Sequence, residues 1–325
     1  MSNFWKELPR PFFALAPMED VTDAAFRRLI ASKSDSTVPR VLYTEFTSAD
    51  GILKAPESGR RKLLKKLEYS EIERPIVAQL FTAVPKHMEK IARMCAAMGF
   101  DGFDINMGCP DRSIEKSGCG AALIKNPVLA RELIRAAKKG AGVIPVSVKT
   151  RIGYSRDTLE EWLPELLAEE PAAVALHART RKEMSDVSAH WERIKRSVEI
   201  RDELKSPTLI IGNGDVRDLA DAREKAAETG CDGAMLGRSV FGNPWLFSDR
   251  KDAPTPSERI KALLEHLGLF EELMAETTNY AVMKKHFKAY ISGWDGAKEM
   301  RARLMGTESA GEAREILQEL VYSAE

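Results

Sequence analysis

Short apolar runs recur along the first three quarters of the chain, at residues 12–17, 41–46, 75–81, 102–107, 146–152, 173–180, 208–214 and 233–238. Several are continuous rather than alternating, the pattern of strands covered on both faces. Between them lie stretches with helical spacing. Residues 85–98 place Met88, Ile91, Met94, Cys95 and Met98 on one face. Residues 127–139 open on Pro127 and align Leu129, Leu133, Ile134 and Ala137. Residues 158–168 and 218–228 also read as helices. The second connection, 47–74, is less regular, and its Gly59-Arg60-Arg61-Lys62 suggests a loop before a short helix.

Eight strands with mostly helical crossovers in about 240 residues predict an α/β fold, a (β/α)8 TIM barrel. A doubly wound sheet is the alternative. It would usually carry GxGxxG after its first strand, where this chain has Ala16-Pro17-Met18. The barrel is expected to occupy residues 1–248, followed by a polar linker, 249–255, containing Pro254. Thr255-Pro256-Ser257-Glu258 then reads as a capping box, and 256–325 as a small C-terminal domain of about four helices. Ile260, Leu263, Leu264, Leu267 and Phe270 follow the helix period, as do Ile316, Leu317, Leu320 and Val321 in the last helix.

Composition narrows the partners. Lys plus Arg and Asp plus Glu are 49 each, so no global field draws in nucleic acid or an anionic membrane. A local patch must do so. Residues 280–305 are net +4, with Lys284, Lys285, Lys288, Lys298, Arg301 and Arg303 against Asp295 and Glu299, in a domain that is otherwise acidic. His286, Tyr290 and Trp294 are interleaved. The stretch reads either as a nucleic-acid contact or as a solvated helix face with its aromatics in the core. No apolar run reaches the roughly 18 residues of a membrane span. The N-terminus is charged where a signal peptide is apolar, which predicts a cytoplasmic protein, and a monomer is the default. The four cysteines form no CxxC pair, so the pattern suggests no metal site. Cys95 and Cys231 read as buried hydrophobes, and Cys119 chiefly so.

The strand ends carry the chemistry. Pro17 and Met18 follow the first strand and Gln79 lies on the third. Asn106 and Cys109 follow the fourth; Lys149 and Arg151 lie on the fifth; His177, Arg179 and Arg181 lie on or just past the sixth. In this barrel the active site lies at the C-terminal ends of the strands. Gly212-Asn213-Gly214-Asp215 and Gly237-Arg238 follow the last two strands, the usual phosphate site; alone, the first is also a turn with Asp215 as a helix cap. A phosphate-bearing flavin suits Lys149 and Gln79, since a lysine stabilises the negative charge of a reduced ring. A Schiff-base aldolase is the competing use of a barrel lysine. Cys109, in a polar loop, is placed to act as a nucleophile or an acid.

Together, Ala16-Pro17-Met18-Glu19-Asp20-Val21-Thr22-Asp23, the stretch 104–110 (DINMGCP), Lys149-Thr150-Arg151, 176–181 (LHARTR), 212–215 (GNGD) and 236–238 (LGR) resemble the tRNA-dihydrouridine synthases along essentially the whole chain. The resemblance implies FMN-dependent, NADPH-driven reduction of a D-loop uridine in tRNA to 5,6-dihydrouridine. It implies that Pro17, Met18, Glu19, Gln79, Lys149, His177, Asn213, Gly214, Asp215, Gly237 and Arg238 hold FMN, and that Cys109 is the proton donor. Asn106 would hydrogen-bond the base or ring, and Arg179 and Arg181 would either contact phosphate or base or serve as structural pairs. Lys284, Lys285, Lys288, Arg301 and Arg303 would hold tRNA. Cys119 and the acidic Glu19-Asp20 depart from the family's commoner residues, and the basic 48–74 connection offers an extra RNA contact or a solvated loop. The rival readings are an FMN barrel acting on a free pyrimidine, like a dihydroorotate dehydrogenase, and a non-catalytic RNA-binding barrel.

Overall fold

The computed structural model describes residues 3–323, with side chains through residue 319. Nine strands form in chain order: β1 (Phe12–Leu15), β2 (Arg40–Tyr43), β3 (Thr47–Ser48), β4 (Ile76–Phe81), β5 (Gly102–Asn106), β6 (Val146–Gly153), β7 (Ala173–Thr180), β8 (Leu209–Asn213) and β9 (Gly233–Leu236). All pair in parallel. β9 returns to β1 with Phe12 opposite Gly233, and β2 pairs β4 with Leu42 opposite Ile76, which closes an eight-stranded ring. β3 continues β2 along the same edge of β4. The ladder breaks between them where the Thr44 hydroxyl, rather than a main-chain carbonyl, accepts the Gln79 N–H at 3.0 Å. The eight apolar runs therefore become eight barrel strands, as their continuity predicts.

Alternation along the strands sorts the barrel interior into layers. The lower layers are apolar, with Phe12, Ala14, Val41, Val77, Ala173, Leu209 and Ile211 buried together. A short helix, Phe4–Glu7, inserts Trp5 among them. One step higher the same inward-facing positions turn polar. Gln79 pairs across to Asp104, Asn106 to Lys149, and His177 to Asn213. The register thus gathers six polar side chains near the C-terminal mouth.

The helices form where the periodicity places them: Pro85–Ala97, Pro127–Ala141, Leu159–Leu167 and Leu219–Thr229. Asn126 and Asp218 cap two of them through side-chain oxygens. The connection after β2 departs from expectation. Gly59-Arg60-Arg61-Lys62 lies inside a helix, Glu57–Lys65, and not in a loop. A helical glycine costs about 1 kcal/mol; here Leu63 and Leu64, both packed against the main apolar cluster, offset it.

Thr255 and Glu258 make the expected capping box, with Thr255 N–H donating to Glu258 at 2.7 Å and Glu258 N–H donating to Thr255 at 3.2 Å. Four α-helices follow, Pro256–Leu273, Lys284–Tyr290, Ala297–Met305 and Ala310–Ser323. Leu320 and Val321 lie outside the residues whose side chains are described. The first of these helices packs on Ala24–Lys33, the helix after β1. Phe26 stacks on His266 at 4.8 Å between ring centroids, and Lys33 pairs with Glu265 at 2.6 Å. His286, Phe287 and Tyr290 are buried in the same seam. Of the aromatics interleaved among the cations of 280–305, His286 and Tyr290 are therefore core and Trp294 is half-buried against the same cluster, while Lys285, Lys288, Lys298 and Arg303 are exposed.

Candidate active site

The polar layer of the barrel opens into a cavity at the C-terminal mouth. Its floor includes Lys149, Asn213 and Met235; Ala16, Pro17 and Met18 from the loop after β1 form one wall, and His177 and Arg179 another. Lys149 Nζ donates to Asn213 Oδ1 at 3.2 Å, and Asn213 Nδ2 in turn donates to the Met235 carbonyl at 2.8 Å. Burial, reinforced by the Arg151 guanidinium, pulls the Lys149 ammonium down to about 8. His177 is held well below its ordinary value by burial and by surrounding cations, so it is neutral and accepts at Nε2 from Arg179 at 3.0 Å.

One end of the cavity gathers two guanidinium groups around a carboxylate. Arg179, nearly inaccessible, donates to the Val187 carbonyl at 2.7 Å and to Asp215. Asp215 also accepts from Arg238 at 2.7 Å and from the Ala189 N–H at 2.9 Å. The carboxylate therefore fixes both guanidinium groups and is itself held below the usual carboxylate range, chiefly by Arg179. Asp215 is not the helix cap; Asp218 is. Gly214 sits at φ +123°, where a Cβ would approach Ala189 Cβ to 2.8 Å and His177 to 3.1 Å, so only glycine fits there. Among the described residues, the main-chain N–H groups of Gly214–Val216 and 237–239 meet no protein acceptor. Unpaired N–H groups beside two arginines constitute an anion nest.

The loop bearing Cys109 lies beside the cavity rather than on its wall. Asn106 Oδ1 accepts from the N–H groups of Gly108 at 3.1 Å and Cys109 at 2.9 Å. Arg151 Nε donates to the Gly108 carbonyl at 2.9 Å, and Thr150 Oγ1 to the Met107 carbonyl at 3.1 Å. Gly120 closes over the thiol residue: at φ +59°, a Cβ there would come within 2.7 Å of the Cys109 carbonyl. Cys109 is the partly accessible cysteine; Cys95, Cys119 and Cys231 are buried. Burial pushes its thiol up, so it is protonated at neutral pH.

Not every predicted residue lines the cavity. Gln79 is fully buried, with Nε2 donating to Asp104 at 2.7 Å and Oε1 accepting from Asn106 at 3.0 Å. Glu19 is half exposed and accepts from Lys66 at 3.3 Å. Arg181 is bound to Glu115 at 2.5 Å and to the Pro110 carbonyl at 3.3 Å, so it ties the end of β7 to the Cys109 loop. In the helical region, Arg301 donates to the Ile291 carbonyl, Lys284 to the Met305 carbonyl, and Arg303 pairs with Glu319. Lys285 reaches Asp20 of the loop after β1 at 3.3 Å. Lys288, one turn on from it, is exposed.

The sequence profile of the dihydrouridine synthases matches residues 14–325. The chain belongs to the dihydrouridine synthase family. It is 43% identical over 319 residues to a Staphylococcus aureus (strain COL) protein named probable tRNA-dihydrouridine synthase, covering 98% of this chain and 95% of that one. It is 42% identical over 317 residues to a Bacillus subtilis (strain 168) protein named probable tRNA-dihydrouridine synthase 2, covering 97% and 95%. Among solved structures it shares its fold with a 2-naphthoyl-CoA reductase complex, at a TM-score of 0.54 and 11% identity over 72% of this chain and 49% of that one. Histamine dehydrogenase from Rhizobium sp. 4-9 superposes at 0.51, with 12% identity over 79% and 48%.

Within this synthase the cavity also has walls that the motifs did not single out. Ala16 opens the quoted 16–23 stretch without having been given a role, Val216 adjoins GNGD, and Met235 follows from strand alternation in β9. Ser185 comes from the turn after β7, which has no periodic or compositional signal.

Proposed function

We propose that the protein reduces the C5–C6 double bond of a D-loop uridine in tRNA to 5,6-dihydrouridine, with FMN as bound cofactor and NADPH as reductant. Family membership over residues 14–325 carries the reading. The donor set fits the cofactor. The unpaired N–H groups of the loops after β8 and β9, with Arg179 and Arg238, would take the phosphate, and Lys149 would face the ring portion, with Pro17, Met18, His177 and Asn213 around it. FMN held there would supply hydride chemistry for C6, with NADPH as its reductant.

The protein's own part is to place the base and move a proton. Cys109 donates its thiol proton to C5 and recovers it from solvent. A carbon acceptor needs a modest acid close by, and burial keeps this thiol protonated until then. Lys149 and Arg151, both near enough to feel its charge, stabilise the thiolate that forms. The uridine leaves the tRNA fold to reach the site, as a base must when chemistry is done on its ring. Asn106 retains one free amide hydrogen for the base. Residues 256–325, with Lys285 and Lys288, would bind the tRNA backbone beside the mouth.

Purified protein should be yellow and should bleach anaerobically with NADPH, and the released chromophore should be FMN. A colourless protein that ignores added FMN would remove the cofactor assignment. Turnover of free pyrimidines without tRNA would favour the small-molecule reductase instead.

A further inference from the structure

The Cys109 loop is held by a chain of side chains whose direction is set at its far end. Asp104 Oδ1 accepts from Ser147 Oγ at 2.5 Å and Oδ2 from Gln79 Nε2 at 2.7 Å. Gln79 Oε1 accepts from Asn106 Nδ2 at 3.0 Å, and Asn106 Oδ1 accepts from the Gly108 and Cys109 N–H groups. Asp104 and Gln79 are fully buried and Asn106 nearly so.

An amide can face either way, so its orientation follows from what lies at each end of its chain. Here an ionised carboxylate, which only accepts, stands at one end. Main-chain N–H groups, which only donate, stand at the other. Two amides in series between them satisfy every partner in one arrangement alone. We infer that Asp104 is a positioning residue: acting through Gln79 and Asn106, it fixes the acceptor that seats Cys109. Ser147, Lys149 and Tyr43 are the other polar groups that face it. Burial lifts Asp104 to about 6, and nearby Lys149 favours its ionised form. The inference rests on the proposed role of Cys109, but its test does not require turnover.

Asp104→Leu removes the terminal acceptor. Gln79 Nε2 is then left without a partner, and neither amide has its direction set from that end. Asp104→Asn keeps an acceptor there: the Ser147 hydroxyl can accept as well as donate, so the new amide gives its NH2 to Ser147 and its oxygen to Gln79 Nε2.

The measurement is the iodoacetamide rate at Cys109, resolved by peptide mass spectrometry on intact folded protein, with buried Cys95, Cys119 and Cys231 as internal references. Asp104→Leu should alkylate about tenfold faster at Cys109 as the loop opens locally, and Asp104→Asn should stay within about twofold of wild type. With tRNA and NADPH, Asp104→Leu should lose kcat with little change in the KM for tRNA. An unchanged alkylation rate in Asp104→Leu, or an Asp104→Asn rate as high as that of Asp104→Leu, would overturn the inference. If Asp104→Leu does not fold, Gln79→Met, which cuts the chain one link further on, takes its place with the same two outcomes. Should wild-type protein make no dihydrouridine, the proposed function fails, while the alkylation series still decides the relay.

Discussion

At the scale of single residues, the site separates two tasks by environment. Cys109 keeps its proton because burial disfavours the thiolate. Lys149 gives its proton up early because burial and Arg151 disfavour the ammonium. Cys109→Ala should therefore leave FMN bound while slowing dihydrouridine formation by about 100-fold or more, the usual size of a general-acid contribution; flavin absorbance and nucleoside analysis read the two separately. Lys149 yields a pH prediction. An anionic ligand pairs with its ammonium form, and the free protein holds that form only below about 8. FMN affinity should thus be flat below that pH and fall above it, by up to about tenfold per unit until the pKa of the complex is reached. Lys149→Met should weaken binding and remove the slope, as read by quenching of flavin fluorescence. Gly214 is equally specific in its requirement: its φ of +123° and the 2.8 Å approach to Ala189 leave no room for a methyl group.

At the scale of elements, buried ion pairs join pieces that the apolar pattern alone would leave loosely placed. Arg27, on the helix after β1, donates from Nε to Glu73 at 2.8 Å, and to the carbonyls of Thr22 at 2.7 Å and Glu68 at 2.5 Å. Both Arg27 and Glu73 are inaccessible to solvent. Removing one charge strands the other, which costs about 3–5 kcal/mol, so Glu73→Gln should lower the urea midpoint markedly. A midpoint within experimental error of wild type would refute this. Such pairs explain what the sequence made legible and what it did not. The strands were legible where runs such as 12–17 place apolar residues at successive positions and so bury both faces. That GNGD and Gly237-Arg238 meet at one end of the cavity was legible from their places after the last two strands. The helix Glu57–Lys65 was not, because a glycine among cations carries the local signal of a loop and its stability comes from Leu63 and Leu64 packing elsewhere. The structural duty of Arg181 was equally hidden, since Glu115 lies 66 residues away in sequence.

At the scale of the whole molecule, the helical region and the barrel share one apolar cluster. The seam contains two neutral histidines, His266 and His286, whose rings lie 4.7 Å apart. Burial holds His286 down at about 3 and His266 well below its ordinary range. The unfolded chain binds protons at both from about pH 6.5 downward, and the folded chain does not. Stability should therefore decline as pH falls from 6.5 toward 3, by up to about 1.4 kcal/mol per unit for each histidine. His286→Phe should flatten that decline in denaturant titrations. The same seam sets the exposed face of the Lys284–Tyr290 helix beside the mouth, with Lys285 touching Asp20. Replacing Lys285 and Lys288 by Glu should weaken tRNA binding and lower its salt dependence, without loss of flavin.

On the proposed function, the cavity, the Cys109 loop and the basic helix serve one reaction on tRNA. The most direct test is to incubate the purified protein with NADPH and unmodified tRNA, and to map dihydrouridine nucleotide by nucleotide. Product should form at D-loop uridines, dependent on Cys109 and absent without reductant. A yellow, NADPH-reducible protein that leaves every uridine intact while reducing a free pyrimidine would contradict it.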